Sequence, residues 1–525
     1  MKKFIALILA MAVVLGSLAG CSSNGGNENS TTGAAETKAE ANTEAGQKEE
    51  ATEESGETAH IVLESLYFDS VPRDIAEVEK AINEITIPAI NVEVELYPLG
   101  FMEAAQQVGL MISSNTQLDL VVCASRSDYL SLVNKNMLLE LTDLLDQYGQ
   151  GIKETAPNAI PGGYVGTELY GIPSIEKYGR IYGLIVDKEV VDTVGWTKFD
   201  DLSVEELGEF LKQAKEAYPD KAIIQLSGGG NSVANFEYMY SVDYLGTDAA
   251  CGGMMGIGEG QGDEIVNVFA TEEYAEYCRT MHEWYEAGYF NLDAATSTDS
   301  GQAAVTAGTA KGYFIQTELD MVPAQSSANG VEMVALNTRP HKIVMGDIAT
   351  QTWSIPHTCE NPEAAMKVLN LMWTNEDLIN LIYYGIEGLD YQEMDDGSGR
   401  LTFLEGESAQ TVGYHQWFGL YGNTAARKVW DNLPADYQEQ LKAFNDDIND
   451  SNRSKYFGYA FNPDTVKTQY AAVNDVLSTY RTSLECGVVD PDDILPKFLD
   501  ALKAAGIDEI IAANQKALDE WKAAQ

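Results

Sequence analysis

His60-Ile61-Val62-Leu63-Glu64-Ser65-Leu66-Tyr67-Phe68 is rich in β-branched and aromatic residues and reads as a strand. Pro72-Arg73-Asp74 follows and opens a helix that carries Ile75, Val78 and Ile82 on one face. Asn91-Val92-Glu93-Val94-Glu95-Leu96-Tyr97 alternates apolar and polar residues, as a second strand does. A helix is expected from Phe101 to Ser113, and Leu118-Asp119-Leu120-Val121-Val122-Cys123 is a short apolar strand. Strands and helices at this spacing predict βαβ units and a mainly parallel sheet.

The alternation then restarts. Tyr170-Gly171-Ile172-Pro173 reads as a short strand, and Ile181 to Lys188 as a longer one beyond a polar bend. Asp201-Leu202-Ser203-Val204-Glu205-Glu206 supplies an N-cap and an acidic first turn for a helix reaching Ala217. A strand at Ala222–Leu226 ends in Ser227-Gly228-Gly229-Gly230, and residues 231–335 add helix, including Glu272–Glu286. A different block begins near 337, with Gln351-Thr352-Trp353-Ser354-Ile355-Pro356 and a helix started by Asn361-Pro362. Gly397-Ser398-Gly399 predicts a hairpin turn, and the last hundred residues read as helices. No repeat of 20–50 residues is visible.

Upstream of this body, Lys2 and Lys3 precede an apolar run from Phe4 to Leu15 and then Leu18-Ala19-Gly20-Cys21. A basic start, a short apolar run and small residues before a cut site describe a secretory signal over residues 1–20. Leu18-Ala19-Gly20-Cys21 resembles the bacterial lipobox, which implies a lipid on Cys21 and a chain anchored to the cell membrane on its extracytoplasmic face. Residues 21–58 fit a tether: from Ser22 onward they hold nine Glu against Lys38 and Lys48, with no aromatic residue.

The whole chain has 525 residues, with 33 Lys+Arg against 81 Asp+Glu, a formal charge of −48. That balance argues against a nucleic-acid partner, because phosphate backbones select Lys/Arg-rich faces. The length allows two to four domains at roughly 150 residues each. Cys123, Cys251, Cys278, Cys359 and Cys486 are widely spaced and odd in number, so buried free thiols are expected, with one disulfide still open.

The order of elements after residue 59 resembles a substrate-binding protein of ABC transporters, of the extracellular solute-binding family 1. The resemblance rests on Leu118-Asp119-Leu120-Val121, Leu169-Tyr170-Gly171-Ile172-Pro173, Asp187 to Gly195, and Ile355-Pro356 with Asn361-Pro362-Glu363-Ala364-Ala365. Tyr384-Gly385-Ile386-Glu387-Gly388 and the tail from Tyr456 to Trp521 are similar to lipoproteins tied to oligosaccharide permeases of the Lpl type. The resemblance implies an α/β, type II periplasmic-binding-protein-like fold with a helical C-terminal extension. It implies two hinged lobes, residues 59–175 with 337–415 and residues 176–336 with 416–525. It further implies a monomer that closes on a carbohydrate, an oligosaccharide above all, and delivers it to the transmembrane subunits of an ABC permease.

An enzyme is the competing class. No HExxH, GxSxG, Walker loop or CxxC is present, and the five His lie too far apart for a metal site. No catalytic residue, cofactor or metal is therefore assigned. A secreted carbohydrate-active enzyme, or a binder of peptides or another non-sugar solute, remains the alternative.

A sugar site needs flat apolar faces and planar polar groups. In parallel sheets, ligands sit beyond the C-terminal strand ends. That rule selects Tyr67, Phe68 and Asp69 after the first strand, and Ser125, Arg126 and Asp128 after the third. Tyr67 and Phe68 point to opposite strand faces, so one of them belongs to the core, and Arg126 can instead pair with a nearby acid. Trp353 lies in a polar stretch, Tyr384 and Glu387 carry the subgroup motif, and Trp417 is a cleft-edge candidate. Tyr384 and Glu387 can equally belong to a turn anchored by Gly385 and Gly388. Trp284, Trp373 and Trp521 sit on helical apolar faces and are assigned to packing.

Overall fold

The computed structural model describes residues 57–68, 70–230, 236–245, 249–256, 264–409, 411–416 and 419–525. The signal, Cys21, most of the tether, Asp69 and Trp417 lie outside them. Among the described residues no helix is long and apolar enough to cross a membrane.

The decisive run forms β1 (Ala59–Tyr67), followed by α1 (Ile75–Ile90) and β2 (Val92–Gly100). Then come α2 (Ala104–Ser113), β3 (Val121–Cys123), α3 (Arg126–Asn134) and β4 (Ile172–Pro173). β1 pairs in parallel with β2, from Ala59↔Val92 to Tyr67↔Gly100, and touches the β3 side through a parallel bridge between Leu63 and Leu120. α3 starts where Ser125, in extended conformation, accepts the Asp128 N–H.

The chain then forms β5 (Arg180–Asp187), α4 (Val204–Ala217), β6 (Ala222–Ile224), α5 (Glu272–Glu286), β7 (Ala310–Gln316) and β8 (Met333–Lys342). The N-terminal signal at α4 is a full capping box between Ser203 and Glu206. The four strands lie in the order β8-β5-β7-β6. Returning, the chain adds β9 (Thr352–Ser354) between β3 and β4, then α6 (Pro362–Thr374), α7 (Glu376–Tyr384) and α8 (Tyr437–Asp446). It ends in α9 (Lys467–Glu485), α10 (Pro491–Ala505) and α11 (Ile507–Ala524), the expected helical extension.

One expectation is corrected. The sheets are mixed rather than mainly parallel: β9 is antiparallel to β3 and β4, and β5 is antiparallel to β7 and β8. The cause is the crossing pattern. β5 leaves the first core and β8 returns towards it, so each runs against its neighbour.

Two large hydrophobic cores result. The first is built from Ile61 to Tyr178 and from Ile343 to Tyr421, with Ala460 added. The second runs from Leu184 to Leu336 and from Tyr456 to Leu518. The chain therefore passes between them three times. The last passage lies between Ile448 and Tyr456, not at the expected 415/416 boundary, because Leu420, Tyr421 and Trp430 pack into the first core. Buried aliphatic and aromatic side chains stabilise such cores by about 1.5–3 kcal/mol each. The five described cysteines are buried and form no disulfide with one another.

Candidate ligand-binding site

The crossings are tied by side chains as well as by backbone. Tyr178 N–H donates to Asn445 Oδ1 at 2.8 Å, and Asn445 Nδ2 donates to the Glu176 carbonyl at 2.7 Å. Ile343 exchanges backbone bonds with Asn452 and Ser454 at 2.8 and 2.9 Å. Lys177 meets Asp320 at 3.0 Å, and Arg180 faces the buried Glu318 at 3.8 Å. Burial pushes the Glu318 carboxyl up, while Arg180 and Lys177 oppose the shift. Nearby, burial raises Glu237 to about 7 against the pull of Arg339.

Beside these crossings lies a cavity of about 1010 Å³. Tyr164, which packs on the first core, forms one side of it. Phe457 also packs on the first core, and Trp521, which packs on the second, completes the aromatic lining. Asp450, Ser451, Arg453 and Lys455 supply its polar groups. Arg453 sits 3.7 Å from Asp450 and over the Phe457 ring at 6.0 Å, so its planar guanidinium is held against an aromatic face. Away from the cavity lining, Asn462 Nδ2 donates to Asn134 Oδ1 at 2.6 Å. The sequence reading does not gather the residues of this cavity. Of these residues only Trp521 is singled out by the sequence, as a packing residue, and Trp521 does pack on the second core.

A second set of aromatic faces lies on the second core. Tyr182 packs edge-on to Tyr238 at 4.9 Å, Tyr238 lies 5.6 Å from Phe314, and Arg339 covers Tyr182 at 4.9 Å.

The expected residues divide. Tyr67 is half-buried at the end of β1, and Phe68 is 42% exposed and stacks on Phe101 at 4.5 Å. Ser125 and Asp128 are joined by a 2.5 Å hydrogen bond at the start of α3. Glu387 is exposed in a turn. That turn depends on Gly385, whose φ of 76° suits glycine and where a Cβ would collide with the Asp390 carboxylate.

Three expectations are corrected. Arg126 is not offered to a ligand: it is buried and donates to the carbonyls of Gly162 and Tyr164 at 2.7 and 3.2 Å. Burial pulls its guanidinium below the usual range. Trp353 is fully buried in β9 and its indole is used up internally, so the polar stretch around it marks a core strand rather than a cleft. Tyr384 is buried, donates to the Lys428 carbonyl at 3.1 Å and packs against Trp430 and His415. Asp69 and Trp417 lie outside the described residues.

The chain matches two family models, the bacterial extracellular solute-binding protein over residues 76–378 and a domain of unknown function over residues 455–523. It is similar to a carbohydrate ABC transporter substrate-binding protein of Streptococcus pneumoniae, 24% identical over 475 residues, which are 88% of this chain and 91% of that protein. It is similar to a polygalacturonan/rhamnogalacturonan-binding protein of Bacillus subtilis, 21% identical across 65% of this chain and 68% of that one. In three dimensions it resembles an N-glycan transport solute-binding protein of Streptococcus pneumoniae, with TM-score 0.74 and 20% identity over 88% of this chain and 99% of that one. With the matched segment covering more than half of its length, the chain belongs to the bacterial extracellular solute-binding protein family.

Proposed function

We propose that this protein captures an oligosaccharide between its two cores and presents it to the transmembrane subunits of an ABC permease. The observation that carries the reading is the cavity of about 1010 Å³ whose aromatic faces, Tyr164, Phe457 and Trp521, come from both sides of the chain crossings. Ligand pockets commonly measure about 300–1,000 Å³, so this space suits several sugar rings rather than one. Rings stack their C–H faces on the aromatics, while Asp450, Ser451 and Arg453 take hydroxyl pairs. The similarity to proteins named for carbohydrate, polygalacturonan and N-glycan binding supports the same ligand class.

The three crossings act as a hinge, and a ligand touching both cores stabilises the closed form by its differential contacts alone. The protein makes and breaks no bond, acts as a monomer, and is held at the membrane by a lipid on Cys21 and the acidic tether. Titration calorimetry against neutral and acidic oligosaccharides tests this. Heat of binding for at least one glycan, with no new reducing ends on incubation, is expected. Silence across the panel, or release of reducing ends, overturns the reading.

A further inference from the structure

A separate crevice of about 430 Å³ lies wholly in the first core, between α2 and α3 above β1 and β3. Ala104, Val108 and Leu132 make its apolar walls, with Phe101 and Met102 towards one end. Ser125, Asp128, Ser131 and Lys135 line it along α3, from which polar groups reach its rim. At its floor is Glu64, which is 0% exposed.

Glu64 is an unusual floor for an apolar crevice. One carboxyl oxygen, Oε2, accepts the Val122 N–H at 2.8 Å. The other, Oε1, is buried and has no hydrogen-bond partner among the described residues. No cation among the described residues pairs with the carboxyl, and burial raises it to about 8, so at neutral pH it carries a proton. Because Oε2 is already occupied as an acceptor, the proton belongs on Oε1. The crevice thus presents one buried O–H donor, flanked by apolar walls, with no hydrogen-bond partner among the described residues. Leaving such a group unpaired costs about 1–3 kcal/mol.

The missing partner is defined by that arrangement. An anionic group is disfavoured by Asp128 at the rim and by a chain of formal charge −48. A sugar hydroxyl would bring a donor of its own into apolar walls and leave it unsatisfied. An acetamido group fits: its carbonyl needs only the donor, its methyl packs between Val108 and Leu132, and its N–H stays at the polar rim.

We propose that this crevice is a binding site for the acetamido group of a neutral ligand, with Glu64 Oε1 facing its carbonyl. The site uses no residue of the larger cavity and stands apart from the oligosaccharide reading above.

The test titrates N-acetylglucosamine, with glucose as control, into the full chain and reads amide shifts by NMR. Shifts at Ala105, Ser125 and Leu132 with N-acetylglucosamine and none there with glucose are expected. Glu64→Leu should weaken the interaction about tenfold by removing the donor. Glu64→Gln, whose amide can accept from Val122 and donate to the ligand, should keep it. Ala105→Trp, at an exposed rim position, should abolish it without loss of folding, while Trp521→Ala leaves it unchanged. Equal shifts with both sugars, or undiminished binding by Ala105→Trp, overturns the proposal. Should Glu64→Leu fail to fold, the Ala105→Trp result decides alone.

Discussion

Trp353 donates its indole N–H to the carbonyl of Leu420 at 2.6 Å, with both residues buried. The bond fastens the loop after residue 413 onto the middle strand of the first core, and Tyr421 adds a ring contact at 5.5 Å. This is why a segment expected to start the second lobe instead belongs to the first. Trp353→Ala should lower unfolding stability by about 3–5 kcal/mol, the usual cost of emptying a buried aromatic site. Urea unfolding measures this, and a change below about 1 kcal/mol would show that the strand is not packed as described.

Arg126 holds a loop, not a ligand. Its two Nη groups reach different carbonyls, those of Gly162 and Tyr164, which a lysine's single ammonium is poorly shaped to do. Arg126→Lys and Arg126→Ala should both destabilise, the latter by about 2–4 kcal/mol. Because the partners are neutral carbonyls, the loss should change little between low and high salt in parallel denaturation series.

Glu64 makes stability depend on pH. Its carboxyl is raised from 4.5 to about 8 by burial, so the folded chain holds a proton that the unfolded chain releases. The sign follows: this contribution is complete below the unfolded value and is lost as pH rises through the folded one. Glu237, raised to about 7, and Asp390, raised to about 6, act in the same direction. The wild-type urea midpoint should therefore fall between pH 5 and about 8, and Glu64→Gln should flatten the upper part of that fall. An equal slope in both proteins would place a charged carboxylate at Glu64.

Trp521 and Phe457 separate binding from folding. Trp521 is half-buried and packs on Tyr459 at 5.7 Å, so its removal should cost only modest stability. If it also forms a sugar platform, Trp521→Ala should weaken glycan affinity about tenfold, equivalent to about 1.4 kcal/mol. Calorimetry on the folded variant reads this directly, and unchanged affinity would remove Trp521 from the site.

The five described thiols should behave as core atoms. Cys123, Cys251, Cys278, Cys359 and Cys486 are buried, and burial raises Cys278, Cys359 and Cys486 above the usual thiol range, with Cys486 at about 12. A thiol reagent should label them only as fast as the chain unfolds. Rapid labelling of any one under native conditions would contradict its placement.

Much of the fold was legible in the residues themselves. β1, α1, β2 and α2 follow from short-range periodicity, and the cap at Ser203 from the chemistry of helix starts. The family resemblance was carried by local motifs and needed no coordinates. Strand direction was not legible, because an antiparallel β9 and a parallel β2 are both short runs of apolar and polar residues that do not encode direction. The fate of aromatics in polar stretches was equally hidden. Trp353 sits among polar neighbours in sequence and Tyr384 at a glycine turn, yet both are sealed by Leu420, Tyr421 and Trp430, which arrive from distant segments.

The sequence by itself determined the alternating elements, the acidic balance and the α/β class, since each depends on residues within a few positions of one another. Only the tertiary structure decided where the last crossing falls, that Arg126 and Trp353 are internal, and that Tyr164, Phe457 and Trp521 line one cavity. Those outcomes depend on contacts between segments far apart in the chain, from Arg126 with Gly162 at a separation of 36 to Trp353 with Leu420 at 67. Whether a side chain is core or surface is set by what packs over it, and local patterning does not contain that partner.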